Sequence, residues 1–156
     1  MKKSLYVMTV FMMFFFLRPS VFPHCEVPCG IYNDEMRFEM ILEHIKTIEK
    51  AIHEIEHLSK EQPLNFNQIV RWITNKEKHA EELQHIISQY FLTQRITPVE
   101  GNDEDARKVY MEHLSLCHHI LVFTMKTKQS LDHSNVEKLK KYVVSFKDSY
   151  FKTKSK

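Results

Sequence analysis

Residues 33–58, NDEMRFEMILEHIKTIEKAIHEIEHL, carry the pattern that decides the fold. Phe38, Ile41, Ile45, Ile48, Ile52 and Ile55 step by three and four without a break. That is the seam of a helix that buries one face against other helices. Asn33 supplies a side-chain cap, and Asp34 and Glu35 place acids in the first turn, where the helix dipole favours them. The spacing predicts a helix to about His57 or Leu58. Residues 59–63 break it, because Pro63 is hard to place inside a helix.

Working outward toward the C-terminus, the same period recurs. A second helix is predicted from a cap near Asn65 to about Phe91 or Leu92, with Ile69, Ile73, Ala80, Leu83, Ile87 and Tyr90 on one side and Trp72 bordering them. The longest connection, near residues 96–103, holds Pro98 and Gly101. A third helix starts near residues 103–105 and carries Ala106, Tyr110, Leu114, Cys117, Leu121 and Met125. A fourth opens on a Ser134/Glu137 capping box and carries Val136, Leu139, Val143, Phe146 and Tyr150. There is no strand alternation, Gly-rich phosphate loop or nucleophile-elbow pattern. The expected fold is all-α, an up-down-up-down four-helix bundle over residues 34–156.

Working outward toward the N-terminus, the character changes. Residues 1–23 begin with Lys2 and Lys3, continue with an apolar run of about 13 residues from position 5 to 17, and end in RPSVFP. Such a run is short for a membrane span and fits the core of an export signal. Removal is expected, either by a dedicated peptidase before His24 or by signal peptidase near Ser20 followed by trimming. An uncleaved anchor is the alternative.

Between leader and helix, residues 24–33 form a hook. His24, Cys25, Pro28, Cys29, Gly30 and Tyr32 crowd there, with two of the three cysteines and one of the two glycines of the chain. An odd cysteine count argues against a paired disulfide framework, although a Cys25–Cys29 disulfide stays open. Thiolates and imidazoles favour soft and borderline metals. If cleavage frees the amine of His24, that amine, the Cys25 amide nitrogen and the Cys25 sulfur can form fused chelate rings. Cys29 closes the set and the His24 imidazole approaches along the axis. A near-planar nitrogen and sulfur site points to nickel or copper rather than tetrahedral zinc. A deprotonated amide and two thiolates stabilise the higher oxidation state, so redox chemistry is expected.

Composition narrows the field further. The 22 Lys and Arg nearly balance the 20 Asp and Glu in a chain of 156 residues, so the formal charge of +2 offers no basic stripe for nucleic acid. Cys117 falls on an apolar stripe and reads as a core thiol, and His118 and His119 beside it point elsewhere.

The segment HCEVPCGIY at residues 24–32 resembles the nickel hook of nickel superoxide dismutases, H-C-x-x-P-C-G-x-Y, at every defined position. Weaker similarity runs through Arg37-Phe38-Glu39, residues 76–81, residues 88–91 and residues 146–154. The resemblance implies a four-helix subunit that converts superoxide into oxygen and hydrogen peroxide. It implies one nickel ion per subunit cycling between +2 and +3, a homohexamer, and a maturation peptidase. By resemblance His24, Cys25 and Cys29 are the metal ligands, and Tyr32 stands over the open axial face. Glu39 orients the imidazole, and Tyr90 is a second tyrosine near the channel. His79 occupies a position where the best-known bacterial members have an arginine, from which it could donate a hydrogen bond to Glu39. The signal-like leader favours export to a periplasmic or extracellular space, with no membrane association after processing; a cytoplasmic protein after propeptide removal is the alternative. The competing reading is a non-catalytic exported bundle whose hook sequesters nickel or copper, or forms the disulfide.

Overall fold

A computed structural model describes residues 32–154, so the leader and residues 24–31 of the hook lie outside the described residues. Four α-helices follow one another: α1 (Asp34–Leu58), α2 (Phe66–His85), α3 (Glu104–Gln129) and α4 (His133–Lys154). Between α2 and α3 the chain continues as a π-helical stretch, Ile86–Arg95. Each helix packs on the next and α4 closes back on α1. Side-chain bonds fix the directions. The first residue of α1, Asp34, bonds Arg95 at the end of the π-helical stretch and Lys154 at the end of α4. Lys76, in α2, bonds carbonyls at the end of α3. Neighbours therefore run antiparallel, as the short connections predict. Among the described residues there is no strand, and no helix is long and apolar enough to cross a membrane.

The caps are written in the sequence. Asn33 accepts from the Met36 amide at 3.0 Å and Asn65 from the Gln68 amide at 3.2 Å. Asp103 accepts from the amides of Asp105 and Ala106. Each satisfies donors that the first helical turn leaves without an intrahelical partner. At α4 the expected Ser134/Glu137 box gives way to Asp132, whose carboxylate accepts from the Ser134 amide and hydroxyl, both at 2.9 Å. A charged acceptor two residues upstream outcompetes the serine, and the helix starts at His133.

Every expected seam residue of α1 and α4 is buried. Two helices depart from expectation. In α3 the buried row is His113, Cys117, Ile120, Thr124 and Thr127, while Met125 is 43% exposed. The threonines can enter the core because their hydroxyls bond their own helix, Thr124 to Ile120 and Thr127 to Thr124, each at 2.7 Å. In α2 the expected Ile73 is exposed and Lys76 is buried. Its ammonium donates at 2.7 Å to the Thr127 and Lys128 carbonyls, which satisfies the C-terminal end of α3.

The second helix, expected to run to about Phe91 or Leu92, is α-helical only to His85 and widens from Ile86. Hydrogen bonds that reach back five residues mark the π-helical stretch, as from the Ile96 amide to the Phe91 carbonyl at 2.9 Å. Thr93 and Gln94 also use their side chains, bonding the Ser88 and Gln89 carbonyls. The widened turns bury the adjacent pairs Ile86/Ile87 and Tyr90/Phe91. Phe91 then joins Phe38 and Phe146, with ring centroids 4.8 and 5.0 Å away, in an aromatic end of the core.

Candidate metal centre

Tyr32 is the last residue of the hook motif and the first described residue. The Arg95 guanidinium lies 4.1 Å from the centroid of its ring, and the Tyr90 ring meets it edge-on at 6.0 Å. Tyr32 and Tyr90 are thus neighbours. Tyr90 is itself fixed: its hydroxyl donates to Asp34 at 2.7 Å, and the Arg37 guanidinium sits 4.9 Å from its ring centre.

Asp34 is the node of this end. Its side chain is only 9% exposed. Its carboxylate accepts from Arg95 through Nε and Nη2, each at 2.9 Å, from Tyr90, from Tyr150 at 3.1 Å and from Lys154. Burial alone pushes its pKa up, but the bonds from Arg95, Lys154 and the two tyrosines outweigh that and hold the carboxyl well below the usual range. Burial, with the Asp34 carboxylate beside it, raises the Tyr90 phenol to about 12, so the hydroxyl stays protonated and donates. Arg95 and Lys154 are paired with Asp34, and Arg37 lies over the Tyr90 ring, so three cations gather around one buried carboxylate at this end.

Glu39 and His79 are not brought together. Glu39 is exposed and bonds no other described residue, whereas Nδ1 of His79 lies 2.8 Å from Nδ1 of His44. The hydrogen bond expected between Glu39 and His79 is absent among the described residues. His24, Cys25 and Cys29 lie outside the described residues, and their fit to a metal rests on donor chemistry. An amine, an imidazole and two thiolates suit nickel(II). The donor set fits.

Sequence reasoning treated Asp34 as a first-turn acid and missed its partners Arg95, Tyr150 and Lys154, which lie 61, 116 and 120 positions away. A signal was available only for Tyr150, on the seam of the fourth helix. His44 was missed because it sits between two seam isoleucines and reads as a flank.

A model of the nickel-containing superoxide dismutase family matches residues 19–154. The match covers the whole all-α bundle and the HCEVPCGIY segment before it, and the chain belongs to the nickel-containing superoxide dismutase family. It is an oxidoreductase whose substrate is superoxide and whose cofactor is nickel. Comparison with curated proteins and with solved structures gives no match.

Proposed function

We propose that this enzyme works through a nickel ion held by the His24 amine and imidazole, the Cys25 amide and sulfur, and the Cys29 sulfur, one ion per subunit. When bound, nickel supplies a one-electron couple between +2 and +3, against which one superoxide loses an electron to give oxygen and the next gains one to give peroxide. The chain's own residues do the rest. Arg37, Arg95 and Lys154 draw the anion toward the start of α1. Tyr32 and Tyr90 narrow the approach, and Tyr90, protonated and bonded to Asp34, keeps its ring in place. Glu39 accepts a hydrogen bond from the imidazole of His24, which fixes how that ring is turned.

The observation that carries this reading is the unbroken HCEVPCGIY motif, lying within the family match and ending on a tyrosine seated against Tyr90. Maturation by a peptidase that exposes His24, export directed by the leader, and assembly into a homohexamer belong to the same proposal; the leader and the family resemblance support them.

Cleaved protein purified from its source should contain nickel near one per chain. It should also show an electron-spin signal of Ni(III) split by an axial nitrogen, and consume superoxide. Leaving one extra residue before His24 should abolish both signal and activity by blocking the amine. An active extended protein would overturn the ligand set.

A further inference from the structure

Nδ1 of His44, Nδ1 of His79 and Oε2 of Glu82 form a triangle with sides of 2.8, 3.6 and 4.0 Å. Ligand atoms on a tetrahedral zinc with bonds of about 2.0–2.1 Å lie about 3.3–3.4 Å apart, and these three separations bracket that value, so side-chain shifts of roughly half an ångström bring all three onto one ion. The geometry points to a second metal site, for a divalent cation of the zinc class, formed by His44 of α1 with His79 and Glu82 of α2.

The ligands come from two helices that pack against each other. His44 is buried, which fixes its ring. His79 and Glu82 are one turn apart on α2 and face the same way. The second oxygen of Glu82 lies 3.8 Å from the Lys78 ammonium, which leaves Oε2 turned to the imidazoles. With no metal, one Nδ1 carries a proton and donates to the other. Binding needs, besides those shifts, that this proton move to Nε2 of the same ring, so two neutral imidazoles and one carboxylate face the ion.

Two nitrogens and one carboxylate oxygen suit zinc with a fourth position left for water. Beside the triangle opens a cavity of about 560 Å³, whose lining includes Arg37, His44, Glu81, Glu82 and His85, which gives that water room. The site shares only the imidazole donor with the hook and contains no thiolate, amine or backbone amide. It would cross-link α1 to α2. The inference goes beyond the nickel reading and does not depend on it.

The full chain carrying Cys25→Ser and Cys29→Ser removes the hook thiolates and isolates the question. Titrated with cobalt(II) as a visible stand-in for zinc, it should take up about one equivalent, give the absorption bands of a four-coordinate ion, and release the cobalt to zinc. Glu82→Gln, a change at a half-exposed position, should weaken binding at least about tenfold, the scale on which even the outer partners of metal ligands act. His44→Ala should abolish it. His53, Glu56 and His133 form another group of possible ligands, so His133→Ala is the control and should leave the affinity unchanged. No uptake by the double-serine chain would overturn the proposal and leave His44 and His79 as a hydrogen-bonded pair. Uptake that survives Glu82→Gln, or that is lost with His133→Ala, would overturn it equally.

Discussion

Asp34 concentrates the most interaction into one side chain. Five donors on four residues converge on a carboxylate that is almost fully covered, so removing its charge strands Arg95 and Lys154. Asp34→Asn should lower the unfolding free energy by about 2–4 kcal/mol, measured by urea titration at neutral pH. The pH dependence has a definite sign. The folded carboxyl has a pKa depressed below its ordinary 3.8, so its stabilisation is fully present above that value and is lost as pH falls through the folded one. Acid unfolding should therefore steepen below about pH 4 in the parent. In Asp34→Asn that limb should flatten; an unchanged limb would mean that other carboxylates govern it. Candidate ligands could be named in the hook because they are adjacent in the chain, and adjacency is what a sequence displays. Asp34 was legible only as a helix-start acid, since helical periodicity has no reach across 120 positions.

Helices α1 and α4 were legible residue by residue because their seams are apolar throughout. Burial then follows from period alone. In α2 and α3 polar residues enter the seam, and each carries its own remedy. Threonine bonds the preceding turn, and Lys76 bonds the end of a neighbouring helix. Lys76→Met keeps the length of the side chain but leaves the Thr127 and Lys128 carbonyls without that donor. A loss of about 1–3 kcal/mol is expected in denaturant. A raised midpoint would show that the burial which depresses the lysine's pKa costs more than its bonds return. The π-helical stretch was not legible at all. Apolar pairs such as Ile86-Ile87 and Tyr90-Phe91 also fit a wide α-helical face, and only the hydrogen bonds reaching back five residues tell them apart.

At the scale of the molecule, the bundle closes without the hook. Its core draws on all four helices, and Cys117, the free thiol among the described residues, lies inside it with its pKa pushed up to about 12 by burial. The double-serine hook variant should therefore lose nickel yet keep its helical circular dichroism, with an unfolding free energy within about 0.5 kcal/mol of the metal-free parent. Collapse of the helical signal would make the hook part of the folding core.

The node at Asp34 also sets an order in time. It joins the first residue of α1 to Lys154 in the last turn of α4, the widest separation of any bond described above. A chain is made from its N-terminal end, and a domain folds as a unit. This node cannot close until α4 has been synthesised and docked. Tyr32, held by Arg95, which is itself held by Asp34, gains its final seat only then. The root of the hook is thus among the last parts of the subunit to be fixed, and a peptidase or nickel donor that recognises the seated hook would distinguish a finished bundle from an unfinished one.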